Sequence, residues 1–234
     1  ASRAFSAEID KEISKLSWRD KIQGIKAKFI NMQSKRRSYK VGQVHYDVGN
    51  DFYKYMLDKR MVYTCAYWRD GAKNLDEAQE AKLDLVCRKI GLKRGQHVLD
   101  LGCGFASFLK FVAERYGVSG VGVNVSKEQI TFGKESCKGL PIELRFQDYR
   151  DPIIDRRGKP EQFDHIVSIG MTEHVGTKNY RTLMRVAASH LKPQGIFLLH
   201  TIGQPTSQEK NDPWTNKYIF PNSLAPSLAQ ITQS

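Results

Sequence analysis

Val98-Leu-Asp-Leu-Gly-Cys-Gly104 runs from an apolar stretch into an acidic residue and then two glycines. At a strand-to-helix turn, glycines let backbone amides approach a ligand closely. The spacing is G-x-G without a third glycine, so a dinucleotide fingerprint is incomplete. Asp100, just ahead of Gly102 and Gly104, favours a ligand with a cationic group over a pyrophosphate. The amino group and sulfonium of S-adenosylmethionine meet that requirement. The plainer alternative is a glycine turn needed for packing alone.

Similar features recur along the chain. Asn124 follows the apolar run at 118–123, with Gln129 five residues on. In nucleoside-binding sheets the second strand delivers a group to a ribose, and an amide can replace the usual carboxylate there. Asn124 could instead cap the next helix, as could Ser126. Asp148 and Tyr149 close the next run; a carboxylate beside an aromatic can accept from an adenine amine while the ring packs the base, or either can open a turn. Glu173 and His174 follow the run ending at Gly170, and His200 closes Ile196-Phe-Leu-Leu199. A lone His there is more often a satisfied core residue, but Glu173 on a neighbouring strand end favours an active site. The spacing is not that of a zinc protease helix, so no metal is expected.

The elements that would position these residues follow from periodicity. Asn74 with Glu77 three residues on predicts a capping box and a helix through Leu83, Val86 and Ile90 to Gly91. Strands are expected at 97–104, 118–126, 142–148, 163–170 and 195–203. Helices at 106–116, 127–138 and 178–191 alternate with them, and a Lys192–Gly195 turn enters the last strand. Short apolar strands alternating with helices predict an α/β fold with a doubly wound, mostly parallel sheet. After Gly203 the pattern fades into a polar tail with four prolines, and the sheet is expected to be incomplete at this end.

A chain of 234 residues buries enough surface to fold without disulfide or metal staples. Four scattered cysteines with no C-x-x-C pair fit reduced thiols in the cytoplasm. No apolar stretch is long enough to span a membrane, and the polar N-terminus is no secretory signal. Of the net charge of +12, residues 1–40 carry +7, from 11 Lys and Arg against 4 Asp and Glu. Apolar residues spaced by three and four in the same segment make residues 1–42 a basic amphipathic helical segment, and 43–234 the main domain. Such a segment can lie on anionic lipid or nucleic acid, or pack on the domain as a solvated helix.

HYDVGNDFY (45–53), YTCAYW (63–68), VLDLGCG (98–104), VSIGMTEHVG (167–176), LLHTIG (198–203) and DPWTNKYIFPN (212–222) occur in an order that resembles the bacterial cyclopropane-fatty-acyl-phospholipid synthases. These are relatives of the mycolic acid cyclopropane synthases. The resemblance implies a Rossmann-like class I methyltransferase that carries a methylene from S-adenosylmethionine to a cis double bond of an unsaturated phospholipid acyl chain. It further implies that Tyr63, Thr64, Asp100, Gly102, Gly104, Asn124, Gln129, Asp148 and Tyr149 contact the cofactor. Cys65, Glu173, His200 and the amide of Ile202 match the family's bicarbonate site, where bicarbonate acts as general base. His200 and the Ile202 amide would donate to the anion, and Glu173 would accept its hydroxyl. The family reads Trp-Gly where this sequence has Phe105-Ala106, which keeps an aromatic wall and a small residue. A further active-site Tyr of the family lies beyond residue 234.

Together with the charge, this implies a cytoplasmic protein peripheral to the inner membrane, with Lys35-Arg36-Arg37 and the apolar face of 22–32 at the lipid and a homodimer left open. The alternative is an S-adenosylmethionine-dependent N-methyltransferase of a small amine, which would need no bicarbonate. No Asn/Asp-Pro-Pro-aromatic motif is present to grip a flipped base, so nucleic acid is not expected as a partner.

Overall fold

The computed structural model describes residues 31, 33–35, 37–39, 50–69, 71–209, 211, 213–218, 220 and 222–234. The basic segment expected over 1–42 therefore lies mostly outside the described residues, as do its boundary and, apart from Asn31, the apolar face of 22–32. Ahead of the sheet lie α1 (Asn50–Met56) and α2 (Leu75–Lys89). The alternating unit follows as β1 (His97–Leu101), α3 (Ser107–Tyr116), β2 (Ser119–Asn124), α4 (Lys127–Ser136), β3 (Ile142–Phe146) and β4 (Phe163–Ile169). Next come the short α5 (Thr172–Val175), a 3-10 turn at Thr177–Asn179, α6 (Tyr180–His190) and β5 (Leu191–His200). The segment expected to be a featureless tail contains α7 (Pro213–Tyr218) and α8 (Leu228–Thr232), the latter with a Ser227–Gln230 capping box.

All five strands are parallel, in the order β3-β2-β1-β4-β5. From β1 the chain winds outward through β2 and β3, then returns to place β4 on the other side. The strand order thus reverses between β1 and β4, which opens a crevice at their carboxyl ends. Alternation along β1 supplies both faces of the core. Val98 packs with Leu83, Leu109 and Val112 on one side, while Leu99 and Leu101 pack with Ile166, Leu183 and Ala187 on the other. Leu109 and Leu183 are wholly buried, so truncating either to Ala should cost about 2–5 kcal/mol.

Several local expectations are corrected. At α2 the Asn74 side chain accepts from the Glu77 amide at 3.0 Å, but Glu77 reaches back to the Lys73 amide rather than that of Asn74. Ser126, not Asn124, caps α4. The Lys192–Gly195 turn is not a strand entrance: β5 begins at Leu191, and pairing jumps from Phe163↔Leu191 to His165↔Ile196. Three extra residues bulge there, with Gln194 in the left-handed region at φ 65°. β5 also ends at His200 instead of 203, because Thr201–Gly203 turn away toward Pro226.

Candidate functional site

Each strand end delivers its residue to the same rim. Asp100, at the end of β1, is buried, and its Oδ1 has no hydrogen-bond partner among the described residues. Burial pushes its pKa up to about 7. A carboxylate held this way suits a cationic ligand group, whose arrival would supply the missing donor. Gly102 follows at φ 81°, and an added Cβ would stand 2.8 Å from the Met171 side chain. Only glycine fits there.

Gly102 is shared by two adjoining clefts. In one, of about 560 Å³, it is joined by Tyr63, Thr64, Asp100, Gly104 and Gln129. The other, of about 470 Å³, brings it together with Asn124, Asp148 and Tyr149. The nine residues expected at a cofactor thus form one continuous rim, with the cation-seeking Asp100 in the first cleft and the aromatic in the second. Asn124 donates to the Gln129 side-chain oxygen at 2.7 Å, so the two amides hold each other in place. An elongated ligand with an ammonium at one end and a planar base at the other fits this layout.

Asp148 differs from its expected role. Its carboxylate accepts from Ser38 Oγ at 2.6 Å, from Arg150 Nε and a terminal Arg150 nitrogen at 2.7 Å each, and from the Arg150 amide. Burial pushes its pKa up, but Arg150 and Ser38 outweigh that and leave it below the usual carboxylate range. Its oxygens are thus already engaged within the protein, and an adenine amine would have to displace Ser38 or share an oxygen. Arg150 also lies over the Tyr149 ring at 5.2 Å. Burial pushes the Tyr149 hydroxyl up to about 12, so it stays protonated.

Beside the first cleft a second group gathers. Cys65 Sγ is 3.6 Å from His200 Nε2, while His200 Nδ1 is buried without a partner. Burial, reinforced by the Lys82 charge, lowers the His200 pKa, which favours a neutral imidazole. Glu173, on α5, is buried; its Oε1 accepts from the Ile202 amide at 2.7 Å, and its Oε2 has no partner. The Ile202 amide is therefore spent on Glu173 here, not free for an anion as expected. Among the described residues, Glu173 Oε2 and His200 Nδ1 are left without a protein partner.

Two residues of this region escaped the sequence reading. Gln79 donates to the carbonyls of Val62 and Thr64, at 3.3 and 2.8 Å, and Lys82 Nζ meets Thr64 Oγ1 at 2.5 Å. Three residues apart on the inner face of α2, they hold the 62–65 segment over the glycine turn. Both lie on the buried face of α2 with Ala78, Leu83, Val86 and Cys87. Gly170 completes the fit, since an added Cβ would collide with the Thr64 methyl group.

Residues 33–234 match the sequence pattern of the family described as mycolic acid cyclopropane synthetase. The chain belongs to this family. It is 50% identical over 217 residues to the cyclopropane-fatty-acyl-phospholipid synthase of Escherichia coli (strain K12), which covers 93% of this chain and 55% of that relative. The chain thus spans about half the length of the curated relatives it matches. Among solved structures, the cyclopropane synthase MmaA2 from Mycobacterium tuberculosis superposes with a TM-score of 0.73 at 29% identity. It covers 83% of this chain and 72% of that one. Mycolic acid cyclopropane synthase CmaA1, in complex with SAH and CTAB, gives 0.72 at 30% identity with the same coverages. The five-stranded sheet of this cyclopropane synthetase family member is that of a class I methyltransferase.

Proposed function

We propose that the protein is an S-adenosylmethionine-dependent methyltransferase that builds a cyclopropane ring across a cis double bond of an unsaturated phospholipid acyl chain, with bicarbonate as base. The observations that support this reading are the orphaned Asp100 carboxylate beside the glycine turn and the unpartnered atoms of Glu173 and His200 at the ends of the neighbouring strands β4 and β5. When bound, the cofactor supplies an electrophilic methyl group, and bicarbonate a base for the proton that ring closure releases. Asp100 accepts from the cofactor's amino group, and Asn124 with Gln129 meets the ribose. Tyr149 packs the base. His200, held neutral by burial and the Lys82 charge, contacts the bicarbonate through a ring nitrogen. Glu173 Oε2 accepts its hydroxyl, which turns the basic oxygens toward the substrate; without that hydrogen bond two anions would repel at close range. An alkene is a feeble nucleophile, so alignment with the cofactor and exclusion of water are essential.

The excess positive charge of the first forty residues supports docking on anionic lipid, at the periphery of a membrane. Among the described residues no helix is long and apolar enough to cross one. Lys35, expected at the lipid, instead pairs with Asp151. The attraction must then come from the segment as a whole.

The test uses Glu173→Gln and His200→Ala. Each should lose at least about 100-fold in turnover, in line with loss of a positioned acid or base, and keep the affinity for S-adenosylhomocysteine within threefold. A variant that retains most of its activity removes that residue from the mechanism.

A further inference from the structure

Lys82 is an anomaly on α2. Lysine is rarely fully buried unless paired, yet Lys82 is only 4% exposed. Among the described residues no carboxylate lies within ion-pairing distance, and its one hydrogen-bond partner is the neutral Thr64 Oγ1. An ammonium has three N–H groups, so two are left to donate. A four-carbon stem normally carries the charge out to water; here the chain turns it inward, where an unmatched charge is costly. Lys82 lines the cleft that holds Asp100, Gly102 and Gly104, and its ammonium meets Thr64 of the same lining. Its charge also reaches His200, Cys65 and the Asp58 carboxylate, the last beyond ion-pairing distance.

We infer that Lys82 is a ligand-binding residue whose ammonium, steadied by Thr64 Oγ1, receives a carboxylate-type anion in this cleft. The inference rests on the proposed function, which supplies two anions of that chemistry. One is the carboxylate at the amino-acid end of the cofactor, whose ammonium faces Asp100; Asp100 and Lys82 would then read the two ends of a zwitterion. The other is bicarbonate beside Cys65 and His200. In either case the buried charge is complete only with the ligand in place. Its burial pushes the lysine down to about 8, which an arriving anion would reverse.

The experiment titrates the full protein and its Lys82→Met variant, which keeps the length of the stem, with S-adenosylhomocysteine and with the analogue lacking the carboxylate. Bicarbonate-dependent turnover is measured in parallel. If the cofactor carboxylate is the ligand, Lys82→Met loses at least tenfold in affinity for S-adenosylhomocysteine and none for the decarboxylated analogue. A residue that merely props the fold would weaken both alike. If bicarbonate is the ligand, affinity for S-adenosylhomocysteine is unchanged and the bicarbonate concentration for half-maximal turnover rises at least tenfold. Both quantities within threefold of wild type, or an equal loss for the two analogues, overturns the inference. Lys82→Gln, which retains a donor, serves if the methionine variant does not fold, and the same thresholds apply. Absence of S-adenosylhomocysteine binding by the wild-type protein sinks the proposed function itself, whereas wild-type binding with unaltered variants sinks only the role of Lys82.

Discussion

Asp100 is a carboxylate whose Oδ1 no group among the described residues satisfies, and the pH dependence of stability should reveal it. Its folded pKa is raised by burial, so the stability it contributes is fully present below about 4 and is lost as pH rises toward 7. Asp100→Asn removes that ionisation. Relative to wild type, the variant should gain stability between pH 5 and 7.5 in urea melts, and should lose at least tenfold in affinity for S-adenosylhomocysteine. Equal urea midpoints for the two proteins across that range would contradict the account. Asp100, Asn124 and Tyr149 were legible in the sequence because each closes an apolar run, and a strand end in a parallel sheet points to the crevice. Lys82 was not, since its neighbours Leu83 and Val86 give the helix its inner face and a lysine beside them is ordinarily assumed to reach solvent. The pairing of the Ile202 amide with Glu173 was equally hidden, because it depends on α5, a single turn of four residues too short to show any period.

At the scale of elements, the glycine turn after β1 sets the site, and two substitutions test how. Gly102→Ala forces a Cβ against Met171 at a backbone φ of 81°, so it should destabilise by about 2 kcal/mol or more. It should also displace the turn enough to abolish cofactor binding. A variant with a wild-type melt and wild-type affinity would refute that. Ala106 is the opposite case. It precedes α3 in the left-handed region at φ 65°, a conformation that favours glycine. Glycine would relieve about 1 kcal/mol of strain, but it would loosen the unfolded chain by about 0.4–1 kcal/mol and remove a buried methyl. These effects nearly cancel. Ala106→Gly should therefore change the urea unfolding free energy by less than about 1 kcal/mol, and a larger change in either direction would show that one effect dominates. Strand positions were readable from apolar runs, but their ends were not. The bulge at Lys192–Gly195 reads as a turn in the sequence because Pro-Gln-Gly carries turn chemistry whether the chain reverses or merely bows outward.

For the whole molecule, charge and topology divide the labour. The doubly wound parallel sheet followed from the alternation of strands and helices, and its order, with the reversal between β1 and β4, fixes where the two clefts lie. How the leading segment meets them was not readable. Gln33 donates to the Asn222 carbonyl at 2.6 Å while Ser38 bonds Asp148, so residues 33–38 bridge the C-terminal segment and the end of β3. Such contacts join residues about 110 and 189 positions apart, and no local pattern announces them. With a net charge of +12, the protein should bind anionic vesicles, and binding should fall steeply between 50 and 300 mM salt. Salt-independent partition would point to apolar insertion instead. The most direct test of the central claim is mass spectrometry of unsaturated phospholipid vesicles incubated with the full protein, S-adenosylmethionine and bicarbonate. The account predicts a gain of one CH₂ per modified acyl chain that disappears when bicarbonate is withheld. No gain, with S-adenosylhomocysteine binding intact, would contradict it and favour a small-amine substrate.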